Sequence, residues 1–323
     1  MEPGTPAVPN EPVALRPLRV GEILDVAIKV YRANFKTLIK AVVVIIAPVQ
    51  VLNALLNSSV RSIQDRANSF TVNGDTAGLH GSDVVAVVLA FLAIALLGFV
   101  AGQLASAASF RAVSEAYLGE EADWRRSLRF ALSRLRSLLW LAFLHAIILA
   151  VGFLLCVVPG IYLYGALAVA TPALLFEDAR GTKALRRSRE LVRTRWWSTA
   201  GALLAASLLT AIVQGAVSGA LVGAIVGSHG NQLVADILGV ITGTASSMIT
   251  TPFLAAVIVV LYFDLRVRKE GFDLFLLAQR MGVDAPVGAA PVSFIPEPPP
   301  VVVEGDEPPF WPPPPGWKPR SGA

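Results

Sequence analysis

Leu138 to Val158 is a run of 21 residues without one Asp, Glu, Lys or Arg. A bilayer's hydrocarbon core takes about 20 apolar residues of helix, so this run is read as a membrane span. Comparable runs occupy 38–58, 84–109, 161–177, 198–227 and 233–263. The sequence therefore predicts an all-α, polytopic integral membrane protein with six transmembrane helices. Composition agrees, since 15% of residues are charged and mean hydropathy is +0.63, against about 25% charge in a soluble domain. The 323 residues accommodate one membrane domain at 18–282, with a polar tail at 1–17 and a Pro-rich, uncondensed tail at 283–323. Cys156 is the sole cysteine, which excludes an internal disulfide and a Cys-based metal cluster.

Basic amphipathic helices are expected immediately before spans one, three and five. Over Val20–Lys36, Val20, Ile23, Leu24, Ala27, Tyr31 and Phe35 share one helical face. Glu22, Asp25, Lys29, Arg32 and Lys36 share the other. Before span three, Trp124, Leu128, Ala131, Leu132 and Leu135 form an apolar stripe with Arg125, Arg126, Arg129 and Arg136 away from it. Before span five, Ala184, Leu185, Ser188, Leu191, Val192 and Trp196 oppose Arg186, Arg187, Glu190 and Arg193. This pattern suits helices lying on a membrane surface, apolar face toward lipid and arginines toward anionic headgroups. Aligning VYRANFKTLIKA, FALSRLRSLLWL and LVRTRWWSTAGA matches Val30, Phe130 and Leu191, and Phe35, Leu135 and Trp196. That is a threefold parallel repeat of one amphipathic helix and two spans.

Small residues recur every fourth position in three spans: Gly98, Gly102 and Ser106; Gly215, Gly219, Gly223 and Gly227; Gly239, Gly243 and Ser247. Such spacing lets helices approach closely in lipid, so spans two, five and six are expected to meet at a packed centre. Asn57–Ser82 reads as a solvated loop, Pro159-Gly160 as the turn into span four, and Asp264 to Glu270 as an interface segment.

All but two of the 27 Lys and Arg residues, Arg61 and Arg66, fall before span one, before spans three and five, or after span six. Positive charge stays on the cytoplasmic side, which places both termini inside the plasma (inner) membrane. The uncharged turn near Pro159 leaves two arrangements for spans three and four, full crossing or a re-entrant hairpin.

Chemistry-bearing residues are few. His80 and His229 fall in outer loops, His145 lies in span three, and no set of side chains has metal-ligand or catalytic-triad spacing. No cofactor and no nucleic-acid partner are expected. Four stretches, RPLRVGEILDVAIKVYRANF, PGIYL, ALRRSRELVRTRWW and LYFDLRVRKEGFDL, occur in an order and spacing that resembles a bacterial, actinobacterial-type membrane family. That family is named after the membrane domain of glycerophosphoryl diester phosphodiesterases. The resemblance covers Leu15 to Leu277 and implies no hydrolysis here, because the phosphodiesterase domain is absent and no catalytic residue can be carried over. The expected function is a non-catalytic membrane module that organises anionic lipid, a protein partner or a second copy at the cytoplasmic face. The alternative is a small-solute transporter or channel, with a headgroup enzyme behind both.

Overall fold

The computed structural model describes residues 17–73, 81–177, 179, 181–227 and 232–272. Among these the secondary structure is entirely helical: α1 Val20–Ala33, α2 Phe35–Asn73, α3 Gly81–Tyr117, α4 Trp124–Ser133, α5 Leu135–Leu155, α6 Val157–Ala166, α7 Ala170–Glu177, α8 Thr182–Val192, α9 Trp196–Gly227 and α10 Gln232–Glu270. Six units are long and apolar enough to cross a membrane: α2, α3, α5, α6 with α7, α9 and α10. The tails, His80 and His229 lie outside the described residues.

α10 is the hub. It packs against α2, α3, α9 and α1, while α5, α6, α7 and α8 form a second group beside it. The core sits at one end of the bundle. In α3, Ala105 and Ala107 to Val113 are buried, whereas Val84, Leu89, Leu92 and Leu96 are 55–63% exposed. In α10 the run Ala255 to Val257 and Val259 to Phe263 is buried, and in α9 Ala202, Leu203 and Ala206 are. A helix apolar all round and exposed over half its length is suited to lipid rather than water.

The short helices α1, α4 and α8 collect at this packed end and form a collar around it. Each joins its span through one elbow. Leu38 N donates to Asn34 O (3.0 Å), Leu138 N to Arg134 O (2.9 Å) and Thr199 N to Arg195 O (3.0 Å). Those three donors are buried, and the residues after the elbows, Phe35, Leu135 and Trp196, begin α2, α5 and α9. The threefold repeat read from the sequence is thus a threefold repeat of helix, elbow and span.

Several expectations are corrected. Asn57–Asn73 is not a loop, because α2 continues through it. Its Ser and Asn residues suggested a break, but it holds no Gly or Pro, and Val60, Ile63, Ala67 and Phe70 keep helical spacing. The turn between spans three and four is at Cys156, which is extended (φ −173°, ψ 154°), and Pro159-Gly160 lies in the start of α6. Proline is tolerated in a helix's first turn because the N–H it lacks would have no intrahelical acceptor there. Gly160 instead serves close packing, since a Cβ there would stand 2.4 Å from the Phe153 ring of α5.

The glycine spacing does not make the bundle's centre. At Gly98, Gly102, Gly215, Gly219, Gly223 and Gly239 a Cβ would meet nothing within 4 Å. Only Gly243 among those proposed is a close approach, with the Gln50 amide of α2 lying where its side chain would be, 2.4 Å from a Cβ. The buried residues of α2, α3 and α10, which pack together, include many alanines and valines instead, among them Ala41, Val42, Ala105, Ala108 and Ala256.

Candidate functional site

The apolar faces of the collar helices are turned to protein. In α1 the buried residues are Ile23, Ala27 and Val30. In α8 they are Ala184, Leu185, Ser188, Leu191 and Val192, the face expected to meet lipid. An amphipathic period tells that a face is buried and not which apolar phase buries it. Ser188 Oγ donates to Ala166 O (2.9 Å), and Trp196 Nε1 donates to Tyr162 O (3.0 Å), so α8 and its elbow are pinned to α6.

The charged residues at this end divide into three buried networks and an exposed remainder. The first network joins α3 to α4. Arg111 Nε donates to Glu115 Oε1 (2.7 Å), and Arg126 Nε approaches the same oxygen at 3.1 Å. The Arg111 guanidinium lies 5.0 Å from the Phe130 ring centroid. α3 ends at Gly119 (φ 86°), and Glu120 N reaches back to Glu115 O (2.9 Å), which turns the chain toward Asp123, the N-cap of α4. Only glycine takes that φ without strain. Burial, then the nearby Glu115 charge, raises the Glu120 carboxyl above its ordinary value.

The second network joins α7, α8 and α10. Arg187 Nε and Nη2 donate to Glu177 Oε2 (2.5 Å) and Oε1 (3.2 Å), and Nη2 also donates to Glu270 Oε1. Tyr262 Oη donates to Glu177 Oε1 (2.7 Å), and Arg266 Nε donates to Glu270 Oε2 (3.0 Å). Burial disfavours the Arg187 charge, but its bonds to Glu177 and Glu270 outweigh that and hold its pKa above the ordinary value. Arg266 has no exposed surface and stacks 4.4 Å from the Phe272 centroid. Gly271 (φ 60°) folds Phe272 back, and Phe263 then stacks between Phe272, Phe176 and Tyr117.

The third network fixes the chain before α1. Asp264 Oδ1 accepts from Leu18 N (2.7 Å), and Arg268 pairs with Asp264 (3.0 Å) while donating to Leu18 O (2.7 Å). Asp264 and Arg266 are expected from the sequence at the membrane interface, yet they are packed inside the protein, 4% and 0% exposed. The spacing Asp264–Arg268 and Arg266–Glu270, each i,i+4 on one helix, is the signal that could have shown internal pairing.

Of the arginines expected to face lipid, Arg126 and Arg187 are therefore partners of buried carboxylates. Arg125, Arg129, Arg186 and Arg193 are exposed, Arg186 beside Glu190 (3.5 Å). Arg32, Lys36, Arg129, Arg136, Arg189 and Arg193 are exposed and have no ion-pair partner among the described residues. His145 stands alone in α5, and among the described residues no group of three His, Cys, Asp or Glu could hold a metal. What this end offers chemically is fixed positive charge on a rigid frame.

The fold defines an all-α, multi-pass membrane protein with six units long and apolar enough to span, among the described residues, and a three-helix collar. No protein-family model matches the chain, and no curated protein or solved structure is significantly similar to it.

Proposed function

We propose that the protein is a non-catalytic module of the plasma (inner) membrane, its collar facing the cytoplasm and gathering anionic lipid or a protein partner there. The observation that carries this reading is the division of the cations at the collar end of the bundle. Arg111, Arg126, Arg187, Arg266 and Arg268 are neutralised within the fold, and a second set on the same end remains exposed. Positive charge accumulates on the cytoplasmic side of membrane proteins, and each exposed Lys or Arg near an anionic leaflet contributes about 1 kcal/mol.

Relationship to the glycerophosphoryl diester phosphodiesterase membrane-domain family belongs to this proposal. Its support is that the four stretches carrying the resemblance touch one another at the collar. Leu18 meets Asp264, Ser188 meets the end of the PGIYL helix, and Arg187 meets Glu270.

The test measures the headgroups retained by the purified protein from nanodiscs of mixed phosphatidylglycerol and phosphatidylcholine. Enrichment of the anionic lipid is expected, weakening with salt and with Arg125, Arg129 and Arg193 changed together to Gln, but not to Lys. Absence of enrichment, with solute flux in protein-loaded liposomes, would refute the module in favour of a transporter. Orientation is read separately. Arg129→Cys and Arg186→Cys, in a Cys156→Ala background, should react with an impermeant maleimide only from the cytoplasmic side.

A further inference from the structure

Counted with its capping residues, α8 has the largest excess of positive charge of the three collar helices. In α1, Lys29 and Arg32 are balanced by Glu22 and Asp25, and α4 begins at Asp123, just after Glu120 and Glu121. α8 sets Glu190 alone against Lys183, Arg186, Arg187 and Arg189, with Arg193 at its C-cap. Arg187 turns inward to Glu177 and Glu270, which leaves Arg186, Arg189 and Arg193 exposed on one helical face. Glu190 stands 3.5 Å from Arg186. Like charges three and four residues apart on a helix repel, so an anion that bridges them relieves the face. Arg186 and Arg193 are separated by about 10 Å along the axis at ~1.5 Å rise per residue.

The chain itself supplies such an anion on the same side. α10 arrives at the collar with its last turn against α8: Arg187 Nη2 donates to Glu270 Oε1, and Lys269 Nζ donates to Glu190 O. The C-terminal segment therefore continues from a point beside the arginine face. From Met281 to Trp317 it carries Asp284, Glu297, Glu304, Asp306 and Glu307 and no Lys or Arg. Glu304, Asp306 and Glu307 cover about 10 Å of extended chain at ~3.3 Å per residue, which matches the spread of the three arginines. Pro298 to Pro300 and Pro308 bracket them, and proline's fixed φ favours extended backbone. The 31 residues between Phe272 and Glu304 reach about 100 Å at full extension, so the tether permits the contact.

We propose that Glu304, Asp306 and Glu307 dock on Arg186, Arg189 and Arg193 of α8 in the same chain and compete there with anionic lipid. This rests on the reading of the collar as a face for anions and adds the occupant that regulates it. A segment tethered at millimolar effective concentration covers most of a face that it binds with a dissociation constant of ~1 mM. Exposed ion pairs, each weak alone, are therefore sufficient. Salt should open the face, because exposed charges are screened over about 10 Å at ~0.1 M ionic strength.

The experiment is disulfide trapping in the full chain, in phosphatidylcholine nanodiscs with copper phenanthroline as oxidant. Gly305→Cys is combined, in a Cys156→Ala background, with Thr194→Cys, an exposed position directly after Arg193. The intrachain product should form roughly threefold faster than for Gly305→Cys with Ser133→Cys, exposed at the end of α4. That preference should vanish at high salt and with Glu304, Asp306 and Glu307 changed together to Gln. Equal rates for the two pairs, or a preference that survives the Gln triple, would overturn the docking. A disulfide-linked dimer would assign the segment to a neighbouring copy and overturn the in-chain contact. Phosphatidylglycerol retained from mixed nanodiscs reads the competition, and both the Gln triple and truncation after Val292 should raise it roughly threefold. Unchanged retention with trapping intact would overturn the competition. Trapping without preference, while phosphatidylglycerol is still enriched, would overturn the docking and leave the lipid reading standing. Preferential trapping, with no enrichment in either the full or the truncated chain, would overturn the lipid reading and leave the docking standing.

Discussion

The Nε of Arg126, on the half-exposed side of α4, lies 3.1 Å from Oε1 of Glu115, a carboxylate with no exposed surface. That single contact converts an expected lipid-facing arginine into a tether between a collar helix and a span. It also sets the consequences of losing Glu115. Arg111, 9% exposed, would lose the carboxylate to which its Nε donates, and breaking a buried pair from one side costs ~3–5 kcal/mol. Glu115→Gln should therefore lower the thermal midpoint in detergent substantially, whereas Arg111→Met with Glu115→Leu should recover most of it. A double variant no more stable than Glu115→Gln would show that the network is not compensating a buried charge.

Arg187 gives a second prediction through geometry rather than charge. Its planar fork spans Glu177 and reaches Glu270 simultaneously, which a lysine's single ammonium cannot reproduce. Arg187→Lys should cost ~1–2 kcal/mol, on the scale of one charged hydrogen bond, although net charge is unchanged. Arg193→Gln and Arg186→Gln should stay within ~0.5 kcal/mol, as exposed positions usually do. Chemical or thermal unfolding in one detergent compares the three, and equal effects would contradict the division into paired and exposed arginines.

How much of this was legible in the residues follows from what each signal encodes. Hydropathy counts transfer to lipid, so the six spans were readable, as were the three collar helices and the elbow register of Phe35, Leu135 and Trp196. An amphipathic period carries no information about whether lipid or protein covers Leu185 and Leu191, and the structure puts protein there. Charge clusters read as aqueous by default, so Asp264 and Arg266 were assigned to the interface although their i,i+4 partners were visible. Glycine spacing identifies helix faces that can approach closely, but Gly219 and Gly223 face open space within one chain. The approach of Gly181 to Trp140 was not legible at all, because it arises only through tertiary packing.

The glycines yield the third prediction. Gly160→Ala should destabilise the α5–α6 hairpin, because the Phe153 ring stands 2.4–2.7 Å from the added Cβ and is a rigid neighbour. Gly219→Ala meets nothing within 4 Å, and replacing a helical glycine by alanine gains up to ~1 kcal/mol of propensity. Thermal unfolding of the monomer should therefore fall for the first variant and hold or rise for the second. A lower midpoint for Gly219→Ala, with loss of an oligomer by size-exclusion with light scattering, would assign the stripe to contact between copies.

Cys156 decides the arrangement of the α5–α6 hairpin. α5 has 21 residues, which at ~1.5 Å each gives about 31 Å, close to the ~30 Å hydrocarbon core. The turn carries no charge, and Leu154, Leu155, Val157 and Val158 around Cys156 are 88%, 75%, 60% and 73% exposed. Four large apolar side chains held in water would each forgo ~1.5–3 kcal/mol of burial, so lipid is the favourable surrounding and the turn should end within the far leaflet. A thiol there is out of reach of a reagent confined to water. In sealed vesicles, impermeant maleimide should leave Cys156 unlabelled from both sides, whereas Arg129→Cys in a Cys156→Ala background should label from the collar side. Full reaction of Cys156 in SDS controls for the thiol being intact. Rapid labelling by the impermeant reagent from the side opposite the collar would place the turn in water and establish two complete crossings instead.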